Sequence, residues 1–216
     1  MSHVQTRRST IRTLVGLSSW GEGVEGVVFN ERGDIVDFYR KVHLFDVDIP
    51  NGPRLMESSA TEKGNKSNLF DIFLFSSLIL VVKVATTPLG ELGLAICYDV
   101  RFPEQSQLLR RYGAQMICYP SAFTPLTGAA HWEVLLRARA IETQCYVIAP
   151  AQIGDHHSKR SSYGHGMIID PWGRILAQCD PAKELDVVTA DINLQELEKI
   201  RRNMPVFEHR RGDVYH

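Results

Sequence analysis

Neither sign of charge is in excess: 24 Lys and Arg stand against 25 Asp and Glu, a formal net charge of -1. That balance leaves no electrostatic footprint for nucleic acid or an anionic membrane surface, and neither is expected as a partner. Cysteine is sparse and unpatterned. Cys97, Cys118, Cys145 and Cys179 form no C-x-x-C pair, and the start MSHVQTRRST has no apolar h-region. The expected compartment is therefore reducing and intracellular, the cytoplasm first, with the Arg7–Arg8 pair in a Ser/Thr-rich start keeping a mitochondrial address as the alternative. The His, Cys and Asp positions lack metal-ligand spacing, so no metal or other cofactor is expected. The apolar stretch 69–82, LFDIFLFSSLILVV, is broken by Asp71, Ser76 and Ser77 and falls short of the ~20 apolar residues a membrane span needs.

What is present is an ordinary globular composition, 44% hydrophobic and 23% charged over 216 residues, enough for one core and read as a single domain over 1–216. The middle alternates strand and helix. A buried-strand run at 92–96 stops at Cys97, and Pro103, Glu104, Leu108, Leu109, Arg110, Arg111 and Gly113 mark a helix and its end. Strand 115–119, a Ser/Thr/Pro/Gly-rich loop at 121–128, a helix over 131–143 and strand 145–149 follow. Two successive strand-helix-strand units predict a sheet layered against helices, with its loops placed to carry a site. Residues 26–30 and 34–39 read as a hairpin about Arg32–Gly33. A polar loop at 154–164 precedes β-like segments at 166–169, 174–177 and 187–192, the first two joined by the turn Asp170-Pro-Trp-Gly173, and a last helix spans 194–202.

Cys97 lies where a buried strand ends and a helix is about to begin, so nearby N–H groups can stabilise a thiolate or an oxyanion. The competing reading is a small core hydrophobe, which also suits Cys118, Cys145 and Cys179. A cysteine nucleophile needs a base or a neighbouring cation. Lys41, in YRKVHLFD, is the candidate cation and, taken alone, reads equally as a solvated surface lysine. His43 and His165 are weighed as bases, although neither has a local signature of that chemistry. His156, His157, Lys159 and Arg160 read as an exposed basic loop.

The blocks YRKVHLFD at 39–46, CYDVRFPE at 97–104, HWEVLLRARAIETQCYV at 131–147, SYGHGMIIDPWG at 162–173 and PVFEHRR at 205–211 resemble the nitrilase superfamily, and within it the deaminated glutathione amidase branch. The likeness covers roughly residues 27–60 and 84–214. It implies an α/β fold, the four-layer α-β-β-α sandwich, paired into homo-oligomers. It also implies a hydrolase of non-peptide amide or nitrile bonds that works through a Glu-Lys-Cys triad on a small-molecule amide. The resemblance makes Cys97 the nucleophile and Lys41 the cation beside it, with the Tyr98 N–H as a second oxyanion donor and Tyr98 and Phe123 as substrate-contacting residues. It assigns Glu133 to the family's additional glutamate, against an intrahelical ion pair with Arg137 as the alternative. Deaminated glutathione is the first substrate implied, and short keto-acid amides, the ω-amidase substrates, are the alternative.

Two departures qualify that likeness. The triad glutamate belongs to a strand and helix ahead of the hairpin, and nothing in residues 1–26 aligns with them; Glu22 and Glu25 come too late. The domain is therefore expected to lack its first strand and helix, with an open sheet edge and weak or absent activity, the alternative being a non-catalytic binding or assembly module. Residues 65–80 have no room in the family pattern and are expected to be a foreign insertion from a faulty gene model or alternative transcript.

Overall fold

The protein's computed structural model describes residues 14–18, 23–48, 54–64, 82–158 and 160–214. The proposed insertion at 65–80 lies outside them. Three antiparallel strands open the fold: β1 (Leu14–Ser18), β2 (Glu25–Phe29) and β3 (Ile35–Arg40), in the order β1-β2-β3. The β2–β3 pair is the hairpin read from the sequence. Its turn closes because the Asn30 side-chain oxygen accepts the N–H groups of Arg32 and Asp34, while Gly33 takes a φ of 84°.

A small ribbon follows, β4 (Asp46–Asp48) against β5 (Arg54–Met56), and runs into a single 3-10 turn at Glu57–Ser59. The main sheet has six strands in the order β13-β12-β9-β8-β7-β6. They are β6 (Lys83–Thr87), β7 (Gly90–Leu94), β8 (Met116–Cys118), β9 (Tyr146–Ala149), β12 (Met167–Ile169) and β13 (Ile175–Gln178). β7, β8 and β9 are parallel to one another, as their helical connections require. Helix α1 (Pro103–Arg111) joins β7 to β8, and α2 (Pro125–Thr143) joins β8 to β9.

The strand pleat decides which layer each residue meets. Ile117, Tyr119, Val147 and Ala149 pack with Leu109 of α1 and Trp132, Leu136 and Ala140 of α2. Met116, Cys118 and Tyr146 face the other way, against Val28, Tyr39 and Leu197. The six-stranded sheet thus lies between α1 and α2 on one face and the β1-β2-β3 sheet with the helix of Leu197 on the other. Leu197 belongs to α3 (Leu194–Asn203), capped by the Asn193 side chain on the Glu196 N–H.

Three local readings change. Helix α2 begins at Pro125 rather than at 131, because Thr124 caps it and Pro125 occupies its first turn. Gly128 is there for packing: a Cβ would collide with the Tyr163 ring. The polar stretch after β9 is a two-stranded ribbon, β10 (Ile153–His157) with β11 (Arg160–Tyr163); being mostly exposed, it carries no apolar alternation to announce itself. Residues 187–192 do alternate, with Val188, Ala190 and Ile192 partly buried and Val187, Thr189 and Asp191 exposed, but they belong to no strand. Alternation encodes which face is covered, whereas a strand also needs a neighbour to bond. No helix among the described residues is long and apolar enough to cross a membrane.

Candidate active site

The parallel strands deliver three loops to one end of the sheet. The chain leaves β7 into a 3-10 turn, Cys97–Arg101, leaves β8 through Pro120 and Ser121, and leaves β9 at Ala151, which bridges to Ser121. Cys97 heads the first loop with a φ of 48°. For a residue with a Cβ this left-handed conformation costs roughly 1–2 kcal/mol, and the surroundings enforce it. The Cys97 N–H bonds the Pro120 carbonyl at 3.1 Å, and the Asp99 N–H returns to the Ile96 carbonyl at 3.0 Å. The next donor, the Tyr98 N–H, has no hydrogen-bond partner among the described residues.

Lys41 follows β3 and is only 3% exposed. Its Nζ lies 2.5 Å from Glu57 Oε2, and the same oxygen accepts the Phe45 N–H at 2.6 Å. The β4–β5 ribbon makes this contact: Asp46 pairs with Met56, which sets Glu57 beside Phe45. Behind Lys41, the Gly64 N–H bonds the Lys41 carbonyl at 2.8 Å. A Cβ on Gly64 would stand 2.5 Å from the Arg40 carbonyl oxygen, so only glycine fits without moving the lysine segment.

Burial pushes the Cys97 thiol above its ordinary pKa; the Lys41 charge, the Ala122 N–H and the Ser121 hydroxyl work against that rise, and the Glu57 carboxylate adds to it. Lys41 is the largest of the opposing influences. A tight cleft opens over Cys97, lined by Phe45, Tyr98, Arg101, Phe123, Thr124 and Thr127. The Arg101 guanidinium lies 5.7 Å from the Tyr98 ring centre and 5.3 Å from that of Phe123. Burial, the leading influence, pulls its pKa down.

The structure therefore brings Cys97, Lys41, Tyr98 and Phe123 together and leaves Glu133 out. Glu133 lies on the outer face of α2, about half exposed, with Arg137 at 3.0 Å. Trp132, its neighbour, takes the inward position. The carboxylate on Lys41 is Glu57. Sequence reasoning passed over it because sixteen residues separate the two and no helical or strand period connects them. It also passed over Arg101, which stood inside CYDVRFPE as a charged position with no local partner. His43 bonds Asp99, and His165 bonds the Tyr163 carbonyl; neither lines the cleft at Cys97.

The profile of the family described as carbon-nitrogen hydrolase matches residues 23–202. The chain belongs to the carbon-nitrogen hydrolase family. Human deaminated glutathione amidase is 49% identical over 189 residues, a match that takes in 88% of this chain and 53% of the human protein. The chain thus spans about half the length of that relative. The crystal structure of the Caenorhabditis elegans NitFhit protein superposes with a TM-score of 0.78 at 46% identity, over 90% of this chain and 43% of that one. Saccharomyces cerevisiae Nit3, a member of branch 10 of the nitrilase superfamily, gives 0.70 at 31% identity, over 93% and 65%. The fold of this carbon-nitrogen hydrolase is accordingly the nitrilase-type α/β fold.

Proposed function

We propose that this chain carries the nucleophile and the oxyanion-stabilising groups of a cysteine-dependent amidase acting on a small carboxylate-bearing amide. The supporting observation is the buried Lys41 ammonium, held by Glu57, opposing the burial-driven rise of the Cys97 thiol at a left-handed turn. The Cys97 thiolate attacks the amide carbonyl carbon. The oxygen gains charge against Lys41 Nζ and the Tyr98 N–H. Collapse breaks the C–N bond; the nitrogen takes up the proton that the Cys97 thiol released and leaves as ammonia or an amine, and water hydrolyses the remaining thioester to the acid and the free thiol. Glu57 does not touch the carbonyl in this scheme; it holds the Lys41 Nζ in place.

Arg101 favours an anionic substrate. A partly desolvated guanidinium lining a cleft is a natural carboxylate partner, and deaminated glutathione, named by the human relative, carries carboxylates beside its amide. The keto-acid amides of the ω-amidase reaction share that chemistry. The test is ammonia or amine release from deaminated glutathione and from a keto-acid amide, with Cys97→Ala as control. Release abolished by Cys97→Ala supports the reading, and a folded chain that releases nothing beyond the control overturns it in favour of a binding or assembly module. A homo-oligomer and a cytoplasmic address belong to the same proposal and are tested by sedimentation and by fractionation.

A further inference from the structure

Asp99 follows Cys97 by two residues, and its side chain is fully buried. Four donors converge on its carboxylate. Oδ2 accepts the Tyr39 hydroxyl at 2.8 Å and the Ile96 N–H at 2.8 Å. Oδ1 accepts the His43 N–H at 3.2 Å and lies 2.8 Å from His43 Nδ1, so the ring proton belongs on that nitrogen.

The positions of these donors along the chain show what the carboxylate holds together. Tyr39 and His43 stand two residues to either side of Lys41, and Ile96 immediately precedes Cys97. One carboxylate therefore grips the cation-bearing segment on both flanks and the nucleophile turn at its start. Its partners are themselves fixed. The Tyr39 hydroxyl accepts from Gln105 Nε2 at 2.8 Å and the Val42 N–H at 3.2 Å. Burial, and then Asp99, push that phenol far above its ordinary pKa, so it stays a neutral donor. The Phe102 ring stacks on the His43 imidazole at 3.7 Å between centres. A buried network with every carboxylate lone pair engaged is rigid, because each alternative geometry strands a polar group.

We infer that Asp99 is a positioning residue that sets the separation of Lys41 and Cys97, an inference that rests on the reading of those two as the reacting pair. Asp99 stays away from substrate and acts on the reaction only by holding the lysine segment against the cysteine turn. The related alternative, that Asp99 merely stabilises the fold, would make its removal equally harmful whether or not Lys41 is present.

The test is the rate of Cys97 alkylation by iodoacetamide, read by peptide mass spectrometry across pH, on the full chain, Lys41→Met, Asp99→Asn and the double variant, with thermal unfolding recorded for each. The expected result is that each single substitution slows Cys97 on the order of tenfold and moves its pH–rate midpoint up by about one unit, while the double variant is no slower than Lys41→Met alone. Multiplying losses in the double variant, or an unchanged rate in Asp99→Asn, would overturn the positioning role. An unchanged rate in Lys41→Met instead removes the Lys41–Cys97 pairing on which the inference stands. Should Asp99→Asn not fold, His43→Ala removes one donor from the partly exposed side; severalfold slowing that vanishes in the Lys41→Met background supports the inference, and no slowing overturns it.

Discussion

Lys41 and Glu57 are hydrogen-bonded at 2.5 Å across sixteen residues of chain, and the ammonium of the pair is almost wholly buried. The carboxylate is about one-fifth exposed, so part of its field is lost to solvent and part is spent on the lysine. Removing it leaves an uncompensated buried cation. Glu57→Ala is expected to destabilise the fold by about 2 kcal/mol, below the 3–5 of a fully buried pair because of that exposure. It should also slow Cys97 alkylation, because losing the aim of Lys41, the larger influence on the thiol, outweighs relief of the carboxylate charge that raises it, and Glu57→Gln should recover part of the stability by keeping an acceptor. Urea midpoints and iodoacetamide rates measure both.

Glu133→Ala is expected to behave differently. Its partner Arg137 is four residues away on an exposed helix face, where such pairs contribute about 0.3–0.5 kcal/mol. The unfolding midpoint should barely move, and the alkylation rate of Cys97 should not change. A large loss of Cys97 reactivity in this variant would restore Glu133 to the site.

Arg101→Met should discriminate among substrates. Losing a charge-assisted contact to a carboxylate, worth roughly 1.5–3 kcal/mol, should raise the KM for deaminated glutathione or a keto-acid amide on the order of tenfold to a hundredfold. A neutral amide of similar size should be indifferent. Equal effects on both would show that Arg101 shapes the cleft through its stacking on Tyr98 and Phe123 and recognises no anion.

The buried thiols set a pH dependence of stability. Burial alone pushes Cys118 up to about 12, and burial also raises Cys97 and Cys145. Unfolded cysteine ionises near ~8.5, so the folded state holds these protons after the unfolded chain has released them. The contribution is fully present below about pH 8.5 and is lost as pH rises toward the folded value, at up to about 1.4 kcal/mol per pH unit for each thiol. Urea unfolding between pH 8 and roughly 10.5 should show this fall, and Cys118→Ala should reduce its slope by about one thiol's share while lowering stability at pH 8. An unchanged slope would mean that Cys118 ionises freely in the fold.

Much of the fold was legible because its signals are local. The buried run before Cys97, the Pro103 start and Gly113 end of α1, and the turn at Gly33 each follow from the residues within one turn of them. The start of α2 was misread because Pro125 and Gly128 carry loop composition, and only the Tyr163 ring explains why a glycine is needed there. The ribbon β10–β11 was missed because neither of its faces is consistently apolar. Residues 187–192 carried a correct face pattern without the neighbour that would make them a strand.

The candidate site divides along the same line. The sequence determined the chemical types and their local settings: a cysteine at a strand end, a lysine after a hairpin, an aspartate two places past the cysteine. These depend on side-chain identity and on φ, ψ preferences that act over a few residues. The tertiary structure decided which of them meet. The register of β4 on β5 brings Glu57, and not Glu133, to Lys41, and the close approach of the Lys41 segment to the Cys97 turn lets Asp99 bond both. Contacts across tens of residues depend on how whole sheets stack, and no spacing within the sequence encodes that distance.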